Sequence, residues 1–281
     1  NSDTERCFGV ILSHDKARYR VGDQVAETAT YRVYLCEDHA TGQQYLLQIA
    51  KEIQHNGGLE RAAFVLKGLK QTSDSFDEEN AKTDPDRHLN YDRLFPGVVD
   101  SFVSDEQGKR RINILSLKDV DTIRNMVPLS NLTVRDRLRV DLQTSAWIMG
   151  RLLKLLGLTH SQGIAVRELK GANVLIETEN HFVVVFDWTS ALTYPQAIPR
   201  ENRADDIAHA AKAVFVAIGG NPGTLDYPYD LGNPDEQRYI EMLRRFMRGE
   251  ESNAAEAHTS FYKLVRELFG YGYRQSKLLP L

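Results

Sequence analysis

The sequence predicts an α+β fold in two lobes, a smaller strand-rich one followed by a larger helical one. Three observations predict it. Residues 19–52 are dense in Tyr, Val, Thr and Leu and carry a turn signal at Thr41-Gly42. After about residue 118 the apolar residues take helical spacing, as in Leu138, Leu142, Trp147, Ile148, Leu152, Leu153 and Leu156. No internal repeat or low-complexity tract interrupts the 281 residues. A single domain over 1–281 is therefore expected, with a first lobe over about 1–118 and a second over about 119–281.

The elements follow in order. Alternating apolar residues predict strands at Tyr19–Ala26, Tyr31–Asp38 and Gln44–Ala50. Leu59, Ala62, Ala63, Val65, Leu66 and Leu69 predict a helix over 59–69. The polar, acidic stretch 70–88 reads as a mobile loop or insertion. Strands near Val98–Ser104 and Arg111–Leu117 are joined by a Gln107-Gly108 turn. One long helix is expected over Val134–Leu156, with Gly163 closing the segment. Asn173–Ile176 and Phe182–Phe186 suit a small hairpin. Ala204–Ile218 reads as a buried helix, broken by Gly219-Gly220-Asn221-Pro222-Gly223, and Glu236–Met247 and Ala254–Phe269 as the last helices.

Composition excludes several classes. A net charge of −4 argues against a general nucleic-acid binder, which would carry a basic excess. No apolar run is long enough to predict a transmembrane helix. Asn1-Ser2-Asp3 opens no charged-then-apolar leader, so a secretory signal is expected only as a segment already removed. The two cysteines, Cys7 and Cys36, read either as buried thiols or as one disulfide. The triplet Asn131-Leu132-Thr133 leans towards secretion.

The chemistry-bearing residues cluster in 158–189. Val166-Arg167-Glu168-Leu169-Lys170-Gly171-Ala172-Asn173 precedes the hairpin, and Asp187-Trp188-Thr189 follows it. This arrangement resembles the protein-kinase catalytic core, H-R-D-L-K-x-x-N followed by D-F-G. The resemblance covers about residues 19–270 and implies a two-lobed protein-kinase-like fold. It also implies a role for each matching position. Asp206, before the Ala-rich helix, would accept backbone hydrogen bonds from the catalytic loop, and Arg167 would brace that loop. Asn173 and Asp187 would be vestigial metal ligands. His160 and His209 read as packed helix residues.

The same comparison marks departures. The glycine-loop positions hold Ala26, Glu27, Thr28, Ala29, Thr30 and Tyr31, none of them glycine. Side chains there, with the charge of Glu27, oppose a phosphate. The strand-three lysine position holds Gln48, and strand alternation turns Lys51 to the other face. No Glu stands at 63–68 to pair with it; Glu60 is about two turns early. Glu168 replaces the catalytic Asp and is one methylene longer, and a misplacement of about 1 Å can cost on the order of 100-fold. Thr189 replaces the D-F-G glycine. Asp187 and Asp206 are only 19 positions apart, and Tyr194-Pro195-Gln196 is the nearest stand-in for A-P-E, so a peptide substrate has little to dock on.

A kinase-like chain without a glycine loop resembles the secreted with-no-glycine-loop kinase family of apicomplexan parasites, related to the rhoptry kinases. That resemblance implies secretion into the parasitophorous vacuole or cyst wall and other secreted proteins as partners; as the only two cysteines, with one at the end of an expected strand, Cys7 and Cys36 are expected to form a disulfide. The expectation is a catalytically inactive pseudokinase acting as a scaffold or allosteric partner, with ATP–Mg²⁺ binding weak or absent. Its alternatives are an atypical active kinase using Glu168, Asn173 and Asp187, and a structural component of the matrix.

Overall fold

Alternating side chains and tight turns build the first lobe. The computed structural model, which describes residues 10–270 and 275–281, places β1 (Ile11–His14), β2 (Ala17–Glu27), β3 (Tyr31–Asp38) and β4 (Gln44–Ala50) in succession. With β5 (Gly97–Ser104) and β6 (Arg110–Ser116) they form one six-stranded sheet, ordered β1-β2-β3-β4-β6-β5. All neighbours pair antiparallel. The strand β1 was not expected from the sequence; only Leu12 of its four residues is buried. Between β3 and β4, Asp38 Oδ1 accepts the N–H groups of Ala40 and Thr41 at 2.9 and 2.8 Å, and Gly42 takes φ +72°. Only glycine adopts that conformation without steric cost.

The period of two sorts β4 into faces. Leu46, Gln48 and Ala50 face α1 (Asn56–Ala81) and the second lobe, while Leu47 and Ile49 join Tyr19, Cys36, Phe102 and Ile112 on the other side. The helix α1 runs far past residue 69, correcting the loop expected over 70–88. Leu69 and Ser73 keep it buried on one side. On the other, the acidic residues are solvated, and Lys70 pairs with Asp74 one turn on. Acidity here marked an exposed helix face, and the irregular chain is confined to the residues after Ala81.

In the second lobe, β7 (Val127–Pro128) leads into α2 (Leu129–Val134), and β8 (Leu138–Val140) into α3 (Leu142–Ser161). The single helix expected over Val134–Leu156 is thus two helices separated by a strand. The break has a local cause: Arg137 takes φ +56°, and Asp141 caps α3 by accepting the Thr144 N–H at 2.8 Å. The strand β9 (Ile164–Ala165) pairs with β12 (Leu192–Thr193). The hairpin β10 (Val174–Glu177) and β11 (Phe182–Val185) also takes in β7. Then come α4 (Arg200–Ala217), α5 (Pro234–Met247), α6 (Ala254–Phe269) and β13 (Leu278–Pro280), the last pairing with β8. Asn233 and Asn253 cap α5 and α6. One apolar cluster spans both lobes, from Leu46 and Leu66 through Trp188 and Leu153 to Phe261. Among the described residues no helix is long and apolar enough to cross a membrane.

Cys36 is a free thiol in the apolar cluster on the outer face of the sheet. The described structure therefore does not contain the expected Cys7–Cys36 disulfide, and Cys7 lies outside the described residues. Burial pushes the Cys36 thiol up to about 12. At pH 8 only about one thiol in 10⁴ is then thiolate, the nucleophilic form. In a Cys7→Ser background, an alkylating reagent at pH 8 should leave Cys36 almost unlabelled in the folded protein and label it fully in denaturant, read by intact mass. Rapid native labelling would contradict this burial.

Candidate functional site

The hairpin joining β2 to β3 approaches the second lobe where a kinase-like fold would hold phosphates. Its ladder runs to Glu27↔Arg32, leaving a short turn. Thr28 closes that turn: its N–H donates to the Tyr31 carbonyl at 2.9 Å, and its Oγ1 accepts the Thr30 and Tyr31 N–H groups at 3.2 and 3.1 Å. Backbone donors that a glycine-rich turn would offer to an anion are thus used within the turn. Ala26 is in the ladder, opposite Val33. Glu27 pairs with Lys51 at 2.5 Å, and that ammonium holds the Glu27 carboxyl below the usual carboxylate range. Lys51 is thereby directed to the hairpin.

Tyr31, which stands at the last glycine-loop position, is only 3% exposed. Its hydroxyl makes polar contact with the Asp187 carboxylate and the Gln48 amide. Burial, with the Asp187 charge second, pushes its pKa well above the ordinary phenol value, so it stays a neutral donor facing that carboxylate.

Gln48 and Asn113 are 1% and 0% exposed and sit opposite each other on β4 and β6. Asn113 Nδ2 donates to Gln48 Oε1 at 3.2 Å and to the Leu59 carbonyl of α1 at 2.9 Å. Asn113 Oδ1 accepts from Ser101 Oγ at 2.7 Å. A neutral amide network occupies the place of a lysine–glutamate pair. Glu60 bonds instead to Arg111 at 2.9 Å, near the surface.

The catalytic-loop region is organised by Asp206 of α4, which is 0% exposed. It accepts the Val166 and Arg167 N–H groups at 2.9 and 2.7 Å, and His160 Nε2 lies 3.0 Å from its Oδ2. Arg167, at φ +69°, presents an exposed side chain and takes part in this anchoring through its backbone. His209, also on α4, is half-buried. Glu168 pairs with Lys170 at 2.7 Å, both partly solvated. Asn173 Nδ2 donates to the carbonyls of Glu168 and Asp187 at 2.7 and 3.0 Å, while its Oδ1 accepts the Asp187 N–H. Asp187 Oδ1 accepts both the N–H and the hydroxyl of Thr189, at 2.9 and 2.7 Å. Trp188 is fully buried, edge-on to Phe95, with its indole N–H on the Val185 carbonyl at 2.9 Å. Arg61 of α1 donates to the Thr189 carbonyl at 3.0 Å, tying the first lobe to this turn.

Tyr31, Gln48, Asn173 and Asp187 therefore converge, whereas Glu168 is engaged with Lys170 at the loop surface. As arranged, these groups lack the charge at position 48 and the free turn donors that would hold a magnesium-bound triphosphate. Asp187 Oδ1 and Asn173 Oδ1 are already bonded within the protein, the nearby amide is uncharged, and a buried aromatic side chain stands against Asp187. Metal ligation needs free carboxylate and amide oxygens, and phosphate binding needs free donors.

Asn113 escaped sequence reasoning, as did the contacts made by Thr189 and Tyr31. Asn113 is a lone amide in the apolar run Ile112–Leu117, and that anomaly could have flagged a buried polar contact. Thr189 follows Asp187 by two residues, the spacing of a local side-chain turn. The inward role of Tyr31 left no sequence signal beyond its ring.

Replacing Asp206 by Ala removes the acceptor of two backbone N–H groups and a histidine in a dry environment. We expect a loss of about 3–5 kcal/mol in urea unfolding, with Asp206→Asn retaining part of it. An unchanged midpoint for Asp206→Ala would show that the loop is anchored elsewhere.

No protein-family profile matches the chain, and no curated protein matches it in sequence. Among solved structures, that of vaccinia related kinase 3 is similar, with a TM-score of 0.61 over 93% of this chain and 91% of that one, at 14% sequence identity. Identity that low concerns the backbone alone. The curled antiparallel sheet, the helical second lobe and this likeness agree: the chain has a protein-kinase-like fold.

Proposed function

We propose that the chain is a catalytically inactive kinase-like protein that works by binding, as a secreted scaffold or allosteric partner for other proteins. The observation that carries this reading is the neutral Gln48–Asn113 pair where phosphoryl transfer would need a cation, beside Asp187 and Asn173 oxygens already bonded within the protein. Secretion, with placement in a parasitophorous vacuole or cyst wall, rests on the resemblance to the apicomplexan with-no-glycine-loop family. Within it the bradyzoite pseudokinase is the member this pattern resembles.

The test is direct. Incubation with labelled ATP, Mg²⁺ and generic protein substrates should give no more incorporation than an Asp187→Ala variant. At millimolar ATP–Mg²⁺ the thermal midpoint should move by about 1 °C or less, as expected for a dissociation constant of several millimolar. Incorporation above the variant, or a Mg²⁺-dependent shift of several degrees that Asp187→Ala abolishes, would favour an active kinase using Glu168, Asn173 and Asp187.

Gln48→Lys should not create turnover. It would bury a cation beside Asn113 and the Leu59 carbonyl, with no acid of α1 in reach, and cost about 3–5 kcal/mol. Chemical unfolding and the same labelling assay read both effects. Robust turnover by this variant would place the main defect at position 48 alone.

A further inference from the structure

A cavity of about 1230 Å³ opens between α3, α6 and the chain that links α1 to β5, and neither Asp187, Asn173 nor Tyr31 lines it. It is larger than the ~300–1,000 Å³ typical of small-molecule sites. Its wall is unusual for a chain of net charge −4: Arg87, Arg151, Lys154, His258, Lys263 and Arg266 all line it. The acid at its margin, Glu267, bonds to Arg238 at 3.0 Å. Between the cations lie Phe76, Tyr91, Trp147 and Tyr262.

Arg151 and Lys154 are three residues apart on α3 and so share a face. Among the described residues neither forms an ion pair with a carboxylate. Asp77 acts on Lys154 from a distance, but its Oδ1 is already bonded to the Leu89 N–H at 2.9 Å. Lys154 donates to the Leu89 carbonyl and stands 4.8 Å from the centre of the Tyr91 ring. Burial lowers the Arg151 guanidinium pKa and pushes the Lys154 amine down to about 8. Two partly buried cations with no carboxylate in ion-pair contact among the described residues are a costly arrangement that an anion would relieve.

We propose that this cavity binds an organic anion, a phosphate carried on an aromatic or acyl body. Arg151 and Lys154 take the anionic head, and Phe76, Tyr91, Trp147 and Tyr262 take the apolar body. Charge complementarity selects the head, and guanidinium suits phosphate by its fork of donors. The ring faces select a body that bare phosphate lacks. The site is independent of the closed kinase-like cleft and does not require the scaffold reading.

The full chain would be titrated calorimetrically with phenyl phosphate, inorganic phosphate, phenol and monomeric dihexanoyl phosphatidic acid. Phenyl phosphate should bind at least about tenfold more tightly than inorganic phosphate or phenol, a difference of about 1.4 kcal/mol. Arg151→Gln should weaken it by about tenfold or more. Lys263→Gln, at an exposed position on the cavity wall, should weaken it by about two- to threefold and keeps the test decisive if the Arg151 variant does not fold. Tighter binding of the phosphatidic acid identifies a lipid headgroup as the source, and tighter binding of phenyl phosphate a soluble aromatic phosphate. Both sustain the proposal. Equal affinity for phenyl phosphate and inorganic phosphate, no binding of either, or indifference to the folded variants would overturn it. Tighter binding of a polyglutamate peptide than of any organic phosphate would also overturn it, assigning the surface to acidic protein.

Discussion

Asn113 is wholly buried, and solvent cannot satisfy its amide. An amide has two donors and a carbonyl with two lone pairs, and each one left unbonded in a dry interior costs about 1–3 kcal/mol. The fold meets this demand from three elements. Asn113 donates to Gln48 on β4 and to the Leu59 carbonyl on α1, and accepts from Ser101 on β5. Gln48 then reaches Tyr31 on β3. One side chain thereby fixes how α1 lies on the sheet and, at one remove, where Tyr31 points. Such networks are strong only when complete, so their members constrain one another.

The setting of α1 propagates into the second lobe. With Leu59 held by Asn113, Arg61 meets the Thr189 carbonyl, and a Cβ built on Gly58 would stand 3.5 Å from the Thr189 Cβ. Thr189 in turn bonds Asp187, and Asp187 bonds Asn173. In an ion-pair design the same elements would be joined by a buried charge pair with a large desolvation penalty, sensitive to any anion in the cleft. Neutral bonds carry less of that penalty and need no ligand to balance them. The closed arrangement is accordingly stable in the protein's own terms, with the two lobes linked by hydrogen bonds and by one continuous apolar core.

The parts of this architecture that were legible in sequence are those with a period or a fixed spacing. The five longer strands of the sheet, the hairpin after Asn173, and α4 to α6 all announced themselves by alternation, helical spacing or glycine and proline breaks. Asp206 could be placed because it stands before an alanine-rich run that resembles the buried helix of a kinase fold. The errors share a cause, which is that solvation and local geometry were read from composition. Acidic residues 74–86 suggested a loop, yet most of them lie on the wet face of α1. Apolar spacing across 134–141 suggested one helix, yet Arg137 in a left-handed conformation and the Asp141 cap divide it. The network of Tyr31, Gln48 and Asn113 joins the β3–β4 hairpin to β6, a strand 65 residues on from Gln48. Each residue could be judged alone as a departure from a motif, but their contact is a property of register, which strand patterns do not specify between non-adjacent strands.

Loss of charge in the cleft has a counterpart elsewhere in the molecule. At the cleft, Lys51 is turned to Glu27, Lys170 to Glu168 and Arg111 to Glu60, so these three cations are neutralised by local partners. Across α3 and α6 the pattern reverses: Arg151 and Lys154 are partly buried without such partners, in an open and aromatic setting. Unpaired buried charge weakens a fold unless something outside it supplies the missing interaction. The anion proposed for the cavity between α3 and α6 would supply that interaction, apart from the cleft where Asp187 and Asn173 lie.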